Sequence, residues 1–261
     1  MNKRILLGAL AGVTAIVALP SAANAAATCN YDQAKREMQV RYGANDTGVT
    51  VTNGGTLRYS EGAGPLRSCF STSGVAATAA NTDKVTIKAF SSTTAPLPQT
   101  TTIDERNGDF AASNPKLQFF VFTGTGGDRL IVRESGQADA MHLMDQGGLA
   151  FGPAIDLDYD GDVDIRMTTT NDAIVQVNGG AGADFIDATN VRGYHTVQLG
   201  EGGNDGLLGG TLSDSFDGGA DQDTIRAKDG IAESVKGGTE SDTGTFDFNL
   251  DQLSSIERPG F

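Results

Sequence analysis

Apolar residues recur at every ninth position between Gly200 and Arg226, against a background of glycine and acidic residues. Leu207, Phe216 and Ile225 carry this beat, and Ile186 carries it in a copy further upstream. Nine residues are too few for a helix that packs. They suffice for a tight turn of six and a strand of three, whose single apolar side chain turns inward and is buried when units stack. Nearer the start the period is two. Met38–Tyr42, Val49–Thr52, Thr56–Tyr59, Val85–Ala89 and Leu117–Phe122 carry apolar and polar residues, alternating in several, with Gly, Asn and Ser between them, and predict short strands. Tyr31–Met38 is read either as a short helix or as the cap of a first coil, and Pro96 and Pro98 mark a loop. The fold class expected from this pattern is all-β, with stacked parallel turns in the C-terminal half.

The glycines and acids keep the same register as the apolar residues. Gly200, Gly209 and Gly218 open the blocks GEGGNDGLL, GGTLSDSFD and GGADQDTIR, and Asp205, Asp214 and Asp223 hold the sixth place of each. A further copy, GGAGADFID, runs from Gly179 to Asp187 with Asp184 sixth, and GGTESDTGT runs from Gly237 to Thr245 with Asp242 sixth. Glycine permits positive φ and lets backbone carbonyls converge. A carboxylate brought to the same point completes an all-oxygen set of the kind a hard cation such as calcium takes. The candidate metal residues are therefore Gly179, Gly180, Gly182, Asp184, Gly200, Gly202, Asp205, Gly209, Asp214, Gly218, Asp223 and Asp242. A glycine-rich flexible linker would not hold acid and apolar residues at fixed places.

This pattern, G-G-x-G-x-D-x-U-x with U apolar, resembles that of the secreted hemolysin-type (RTX-like) calcium-binding proteins. The segments TLRYSEGAG and ANTDKVTI are more loosely similar to the N-terminal part of actinobacterial members. The resemblance implies a parallel β-roll or β-helix solenoid with calcium in its nonapeptide turns. Two nonapeptides make one coil there, so turns eighteen residues apart face each other across an ion. That pairs Asp205 with Asp223 and leaves Asp214 on the other side, with Glu233 as its weaker neighbour. The tail FDFNLDQLSSIERPGF, Phe246–Phe261, resembles the family's closing segment. Leu250, Leu253 and Ile256 would cover the open end.

Imperfect units surround the good ones. TGTGGDRLI, from Thr123, has Asp128 sixth and Leu130 eighth, and MTTTNDAIV, from Met167, has Asp172 and Ile174 at those places. Twelve residues, nine plus three, separate Asp187 from Gly200, with Val197 expected inward. Ala227 adds one residue before KDGIAESVK, where Glu233 is sixth and Val235 eighth. Separately, DLDYDGDVD, Asp156–Asp164, places Asp156, Asp158 and Asp160 at a calcium-loop spacing. It is not an EF-hand, which needs Glu at the twelfth place where Met167 stands. Two readings stand for this stretch: a metal loop, or a strand-turn-strand with solvated acids.

Residues 1–25 read as a secretory signal, with Lys3 and Arg4, the apolar run Ile5–Leu19 and the small residues Ala23-Asn24-Ala25. The run falls short of the roughly 20 residues of a membrane span. Thr28 before Cys29 fits a lipoprotein signal poorly. In an exported chain Cys29 and Cys69, the only cysteines, predict a disulfide. The division expected is a signal at 1–25, a β-rich region at 26–122 holding that disulfide, and a repeat region with its cap at 123–261. Residues 151–261 hold 21 acids and 6 bases, against 12 and 13 in residues 1–150, so the net charge of −14 sits with the repeats. Cations are the partners this charge asks for, and it argues against nucleic acid.

No catalytic residue is assigned. His142 and His195, the only histidines, lie outside H-E-x-x-H, and no G-x-S-x-G occurs. His142 is expected to flank a strand and His195 to fill a loop. The expectation is a secreted, non-catalytic calcium-binding module for cell-surface or matrix components, with no transmembrane segment. The enzymatic alternative is a calcium-dependent polysaccharide lyase using Arg166, Arg192, Arg226 or Lys228 as a base.

Overall fold

The computed structural model describes residues 26–42, 48–88, 98–110, 114–123, 127–146, 152–169 and 173–260. The expected signal, Pro96 and Asp172 lie outside the described residues. The protein is all-β, with parallel strands running through two long sheets of twelve and ten strands. Strands β1 (Thr28–Asp32) and β2 (Glu37–Arg41) form a hairpin at one end of the larger sheet. Strands β3 (Gly48–Thr52), β4 (Arg58–Glu61) and β5 (Arg67–Ser68) form an antiparallel run at the same end of the smaller one. Tyr31–Met38 is thus strand, turn and strand, not a helix.

From here strands alternate between the sheets. The larger takes β6 (Lys84–Lys88), β8 (Gln118–Phe122) and β10 (Ala140–Asp145); the smaller takes β7 (Thr100–Asp104) and β9 (Arg129–Arg133). Strands β11 (Pro153–Asp156) and β12 (Ile165–Thr168) are an antiparallel excursion inserted between β8 and β10. Then β13 (Ile174–Ala181), β15 (His195–Gly202), β17 (Ser215–Ala220), β19 (Ser234–Gly238) and β21 (Gln252–Ser254) extend the smaller sheet. Strands β14 (Phe185–Asn190), β16 (Gly206–Leu208), β18 (Thr224–Arg226), β20 (Thr243–Thr245) and β22 (Arg258–Gly260) extend the larger in parallel. This alternation is compatible with a β-solenoid. Pairing crosses residues 122 and 123, since β9 pairs with β7 and β12 with β8.

The spacing of partners follows the expected register. Gly206 pairs with Thr224 eighteen residues on, Phe185 with Gly206 twenty-one on, and Thr224 with Thr243 nineteen on. The three extra residues fall between Asp187 and Gly200, and the single extra one at Ala227. The core lies between the sheets. In the larger sheet Met141, Ile186, Leu207 and Ile225 stack in line and are fully buried. In the smaller, Val51, Ile103, Val132, Val177, Gln198, Phe216, Val235 and Leu253 are successive neighbours. Burying each large apolar side chain contributes about 1.5–3 kcal/mol.

Two inward residues differ from expectation. Val175 and Val177 are buried and Ile174 is half-buried, so the unit from Met167 is offset by one. Thr196 and Gln198 face inward rather than Val197. Gln198 is kept there by donating to Leu208 O at 2.9 Å. A period of two flips every side chain with a one-residue slip, and the extra residues left that slip undetermined. His195 likewise opens β15 instead of filling a loop, while His142 lies within β10.

Both ends are closed. Cys29 of β1 is disulfide-bonded to Cys69, next to β5, so the bond joins the terminal strands of the two sheets. At the other end Leu253 and Ile256 pack partly against the core, but Leu250 is half exposed and does not cover it. Phe246 does: Gly244 continues the line of Ile225, and the Phe246 ring fills the space a side chain at Gly244 would need.

Candidate metal sites

The best-formed turns lie on one edge, where chain leaves the smaller sheet for the larger. They are residues 179–184, 200–205, 218–223 and 237–242. Their backbone shares a rule: the second and fourth places have positive φ. These are Gly180 (98°) and Gly182 (137°), Glu201 (72°) and Gly203 (125°), Gly219 (106°) and Asp221 (76°), and Gly238 (128°) and Glu240 (71°). The opening glycine obeys a different constraint. A Cβ on Gly179, Gly200, Gly218 or Gly237 would collide with the carboxylate of the sixth-place Asp of its own turn. It would also crowd the carbonyl oxygen of Gly200, Gly218, Gly237 or Ser255, respectively, in the next coil.

Each sixth-place acid is buried, with Asp184, Asp205, Asp223 and Asp242 at most 2 % exposed. One oxygen of each is held in a ladder that steps from coil to coil. Asp139 N donates to Asp184 Oδ1 at 2.8 Å, Asp184 N to Asp205 Oδ1 at 2.8 Å, Asp205 N to Asp223 Oδ1 at 2.9 Å, and Asp223 N to Asp242 Oδ1 at 2.9 Å. The other oxygen, Oδ2, has no hydrogen-bond partner in any of the four among the described residues. A buried acceptor without a donor costs about 1–3 kcal/mol, more when charged. Burial, with neighbouring carboxylates, accordingly lifts Asp184 and Asp223 to about 6 and Asp205 to about 7. A donorless carboxylate oxygen thus lies close to a carbonyl oxygen of the next coil, an all-oxygen arrangement that fits a hard cation. Gly202 differs from the other glycines: its carbonyl already accepts from Gly182 N at 2.8 Å, and a Cβ there meets nothing closer than 3.9 Å.

Gly209 and Asp214 lie on the opposite edge, and their turn is closed by its own bonds. Asp214 Oδ1 accepts from Thr196 N at 2.7 Å and Oδ2 from Gly210 N at 2.8 Å. No orphaned oxygen remains there. Glu233 stands beside Asp214, as expected, since Ser215 pairs with Ser234, and it also forms a group with Asp229 and Asp247, with ligand oxygens within 4.8 Å of one another. The sequence reading had no signal for Asp229 and Asp247, because they are brought together by successive turns.

The Asp156–Asp164 stretch links β11 to β12. Asp156, Asp158 and Asp164 bring ligand oxygens within 4.8 Å of one another. Asp160 is not in this group; its Oδ1 accepts from Asp162 N at 2.9 Å. The antiparallel pairing of Ile155 with Ile165 brings Asp164 beside Asp156, and Leu157 N donates to Asp164 Oδ2 at 2.8 Å. Positive φ at Tyr159 and Gly161 turns the chain sharply, and Asp160 N donates to both Asp156 Oδ1 at 3.2 Å and Asp158 Oδ1 at 3.3 Å. Burial and the adjacent acids lift Asp164 to about 7.

A buried carboxyl pair, Glu105 and Glu134, was also missed. They stand one residue beyond the paired Asp104 and Arg133, continuing the line of opening glycines upstream. Burial lifts Glu105 to about 7 and raises Glu134 well above its ordinary value. The residues of the lyase alternative are spread over the molecule. Arg166 donates to Val163 O at 3.0 Å and lies over the Phe120 ring, and Arg226 is exposed on β18. Among the described residues no helix is long and apolar enough to cross a membrane. Comparisons with protein families, curated proteins and solved structures gave no match.

Proposed function

We propose that this chain is an exported, calcium-binding β-roll protein of the hemolysin-type repeat class, whose ions are structural and couple to folding. The observation that carries this reading is the row of four buried, donorless Oδ2 atoms at Asp184, Asp205, Asp223 and Asp242, each facing a carbonyl of the next coil. All-oxygen donors of this kind select calcium or magnesium over softer metals. Gly179, Gly180, Gly182, Gly200, Gly202 and Gly218 shape the turns. Gly209 and Asp214, whose carboxylate oxygens are already satisfied, are left out of the metal set, and Asp156 with Asp158 and Asp164 is a secondary place for an ion. The protein acts as a non-catalytic surface or matrix module. The disulfide supports an oxidising, extracellular setting.

The apolar supply of the repeats is one inward residue per nine, too little alone to order a glycine-rich segment. Binding free energy then becomes folding free energy. Calorimetric titration of the mature protein with calcium, followed by circular dichroism, tests this. Binding at about 10⁻⁴ to 10⁻³ M, the range of extracellular modules, should accompany ordering of residues 179–245. Full hydrogen-exchange protection of those residues in excess chelator would refute the coupling.

A further inference from the structure

The opposite edge ends in a turn built differently from the one before it. The register that pairs Ser215 with Ser234 sets Glu233 over Asp214. Asp214 is satisfied by the N–H groups of Thr196 and Gly210. Glu233 has no such bonds. It is 4 % exposed, and neither Oε1 nor Oε2 has a hydrogen-bond partner among the described residues. Two sequence changes account for this. Glutamate reaches one methylene further than aspartate, past the N–H that an aspartate would accept. Asp229 also replaces the second-place glycine, and its N–H is turned to Asp247 Oδ2 at 3.0 Å.

The Glu233 carboxylate is directed into the group it forms with Asp229 and Asp247. The other two members are fixed by the backbone. Asp247 Oδ2 accepts from Asp229 N and from Gly230 N at 2.7 Å, and Asp229 Oδ1 accepts from Ile231 N at 2.8 Å. Asp251 ties the two turns by accepting from Glu233 N at 3.2 Å and Asp247 N at 2.7 Å. Three carboxylates from two successive turns, one buried without a donor, form a pocket of oxygen with a strong negative potential.

We propose that Asp229, Glu233 and Asp247 bind one divalent cation of the calcium class, which pins the closing segment 246–254 to the turn before it. The choice of ion rests on the calcium reading above. The site is separate: it lies on the other edge and uses side-chain carboxylates rather than glycine-turn carbonyls. Its effect is to hold the C-terminal end shut, where β20 to β22 would otherwise fray.

Hydrogen exchange resolved by segment, during calcium titration of the full mature chain, tests it. The variants are Glu233→Gln, Asp229→Asn and the double variant Asp205→Asn with Asp223→Asn, each first checked for fold by circular dichroism. Asp229 is exposed, so its variant keeps the fold if Glu233→Gln does not. Both single variants should raise the calcium midpoint for protection of residues 246–254 about tenfold or more. They should leave the midpoint for residues 179–226 in place, and the double variant should do the reverse. The same 246–254 midpoint in parent and both single variants would overturn the site. Protection confined to 246–254, with 179–226 unresponsive, would sustain this site and sink the glycine-turn reading.

Discussion

Protons should substitute for calcium in the ladder. Asp184 and Asp223 are lifted from 3.8 to about 6 and Asp205 from 3.8 to about 7, chiefly by burial. A folded-state pKa above the unfolded value means that the folded chain holds protons the unfolded chain has released. The stability these groups allow is therefore full below about pH 4 and is lost as pH rises through about 6 to 7. At neutral pH each costs on the order of a few kcal/mol, and the costs overlap because Asp205 also feels Asp184 and Asp223. Even one such cost is a large part of the stability of a typical domain, about 5–15 kcal/mol. In chelator, lowering the pH from about 8 to about 5 should order residues 179–245, read by hydrogen exchange and far-ultraviolet circular dichroism. With calcium, order at the higher pH should already be present. A chelated protein equally ordered at both pH values, or one that loses order on acidification, would refute the reasoning.

Four further outcomes are expected. Gly200→Ala should abolish calcium-induced ordering around its turn, because the added Cβ collides with Asp205 Oδ2 and Gly218 O; thermal melts with calcium check it, and an unchanged midpoint would refute the packing. Asp205→Ala and Asp223→Ala should cost less together than the sum of the singles, since Asp205 N is bound by Asp223 Oδ1, whereas Asp214→Ala should add independently; strict additivity of the first pair would contradict the ladder. Phe216→Asp, a carboxylate set between Gln198 and Val235 in the core, should prevent folding of the repeats even at saturating calcium, as circular dichroism would show. Reducing the Cys29–Cys69 bond, which spans 40 residues, should cost about 3 to 4 kcal/mol in denaturant titrations, and no change would argue against its closing the N-terminal end.

The repeat period made the candidate edge readable. Leu207, Phe216 and Ile225 stand nine apart because each short strand has one inward place, and Asp205, Asp214 and Asp223 keep the same step because each turn has one inward-facing acid. The short strands near the N-terminus and the pairing of the two cysteines were legible for similarly local reasons. Part of the glycine requirement is local, since a Cβ on Gly200 would meet Asp205 of its own turn; the rest comes from the adjacent coil, whose carbonyl oxygens crowd Gly180 and Gly219.

What a period cannot say is which edge a turn occupies and what its neighbours offer. Asp205 and Asp214 have the same place in their nonapeptides, yet one keeps an orphaned oxygen and the other is closed by Thr196 and Gly210. Val197 looked inward until the extra residues before Gly200 moved the register by one, Ile174 looked inward but the pairing of Val175 with Leu130 turns it out, and Leu250 looked like a cap until Phe246 took the space left at Gly244. Asp164 joins Asp156 and Asp158 through an antiparallel pairing, and Asp247 joins Asp229 and Glu233 across two coils. The sequence by itself determined the all-β class, the glycine-rich turns and the nine-residue period of the acids, because those depend on residues within one unit. Only the tertiary structure decided which carboxylates lack a donor and which meet, because that depends on N–H groups and carboxylates contributed by the coil above or below.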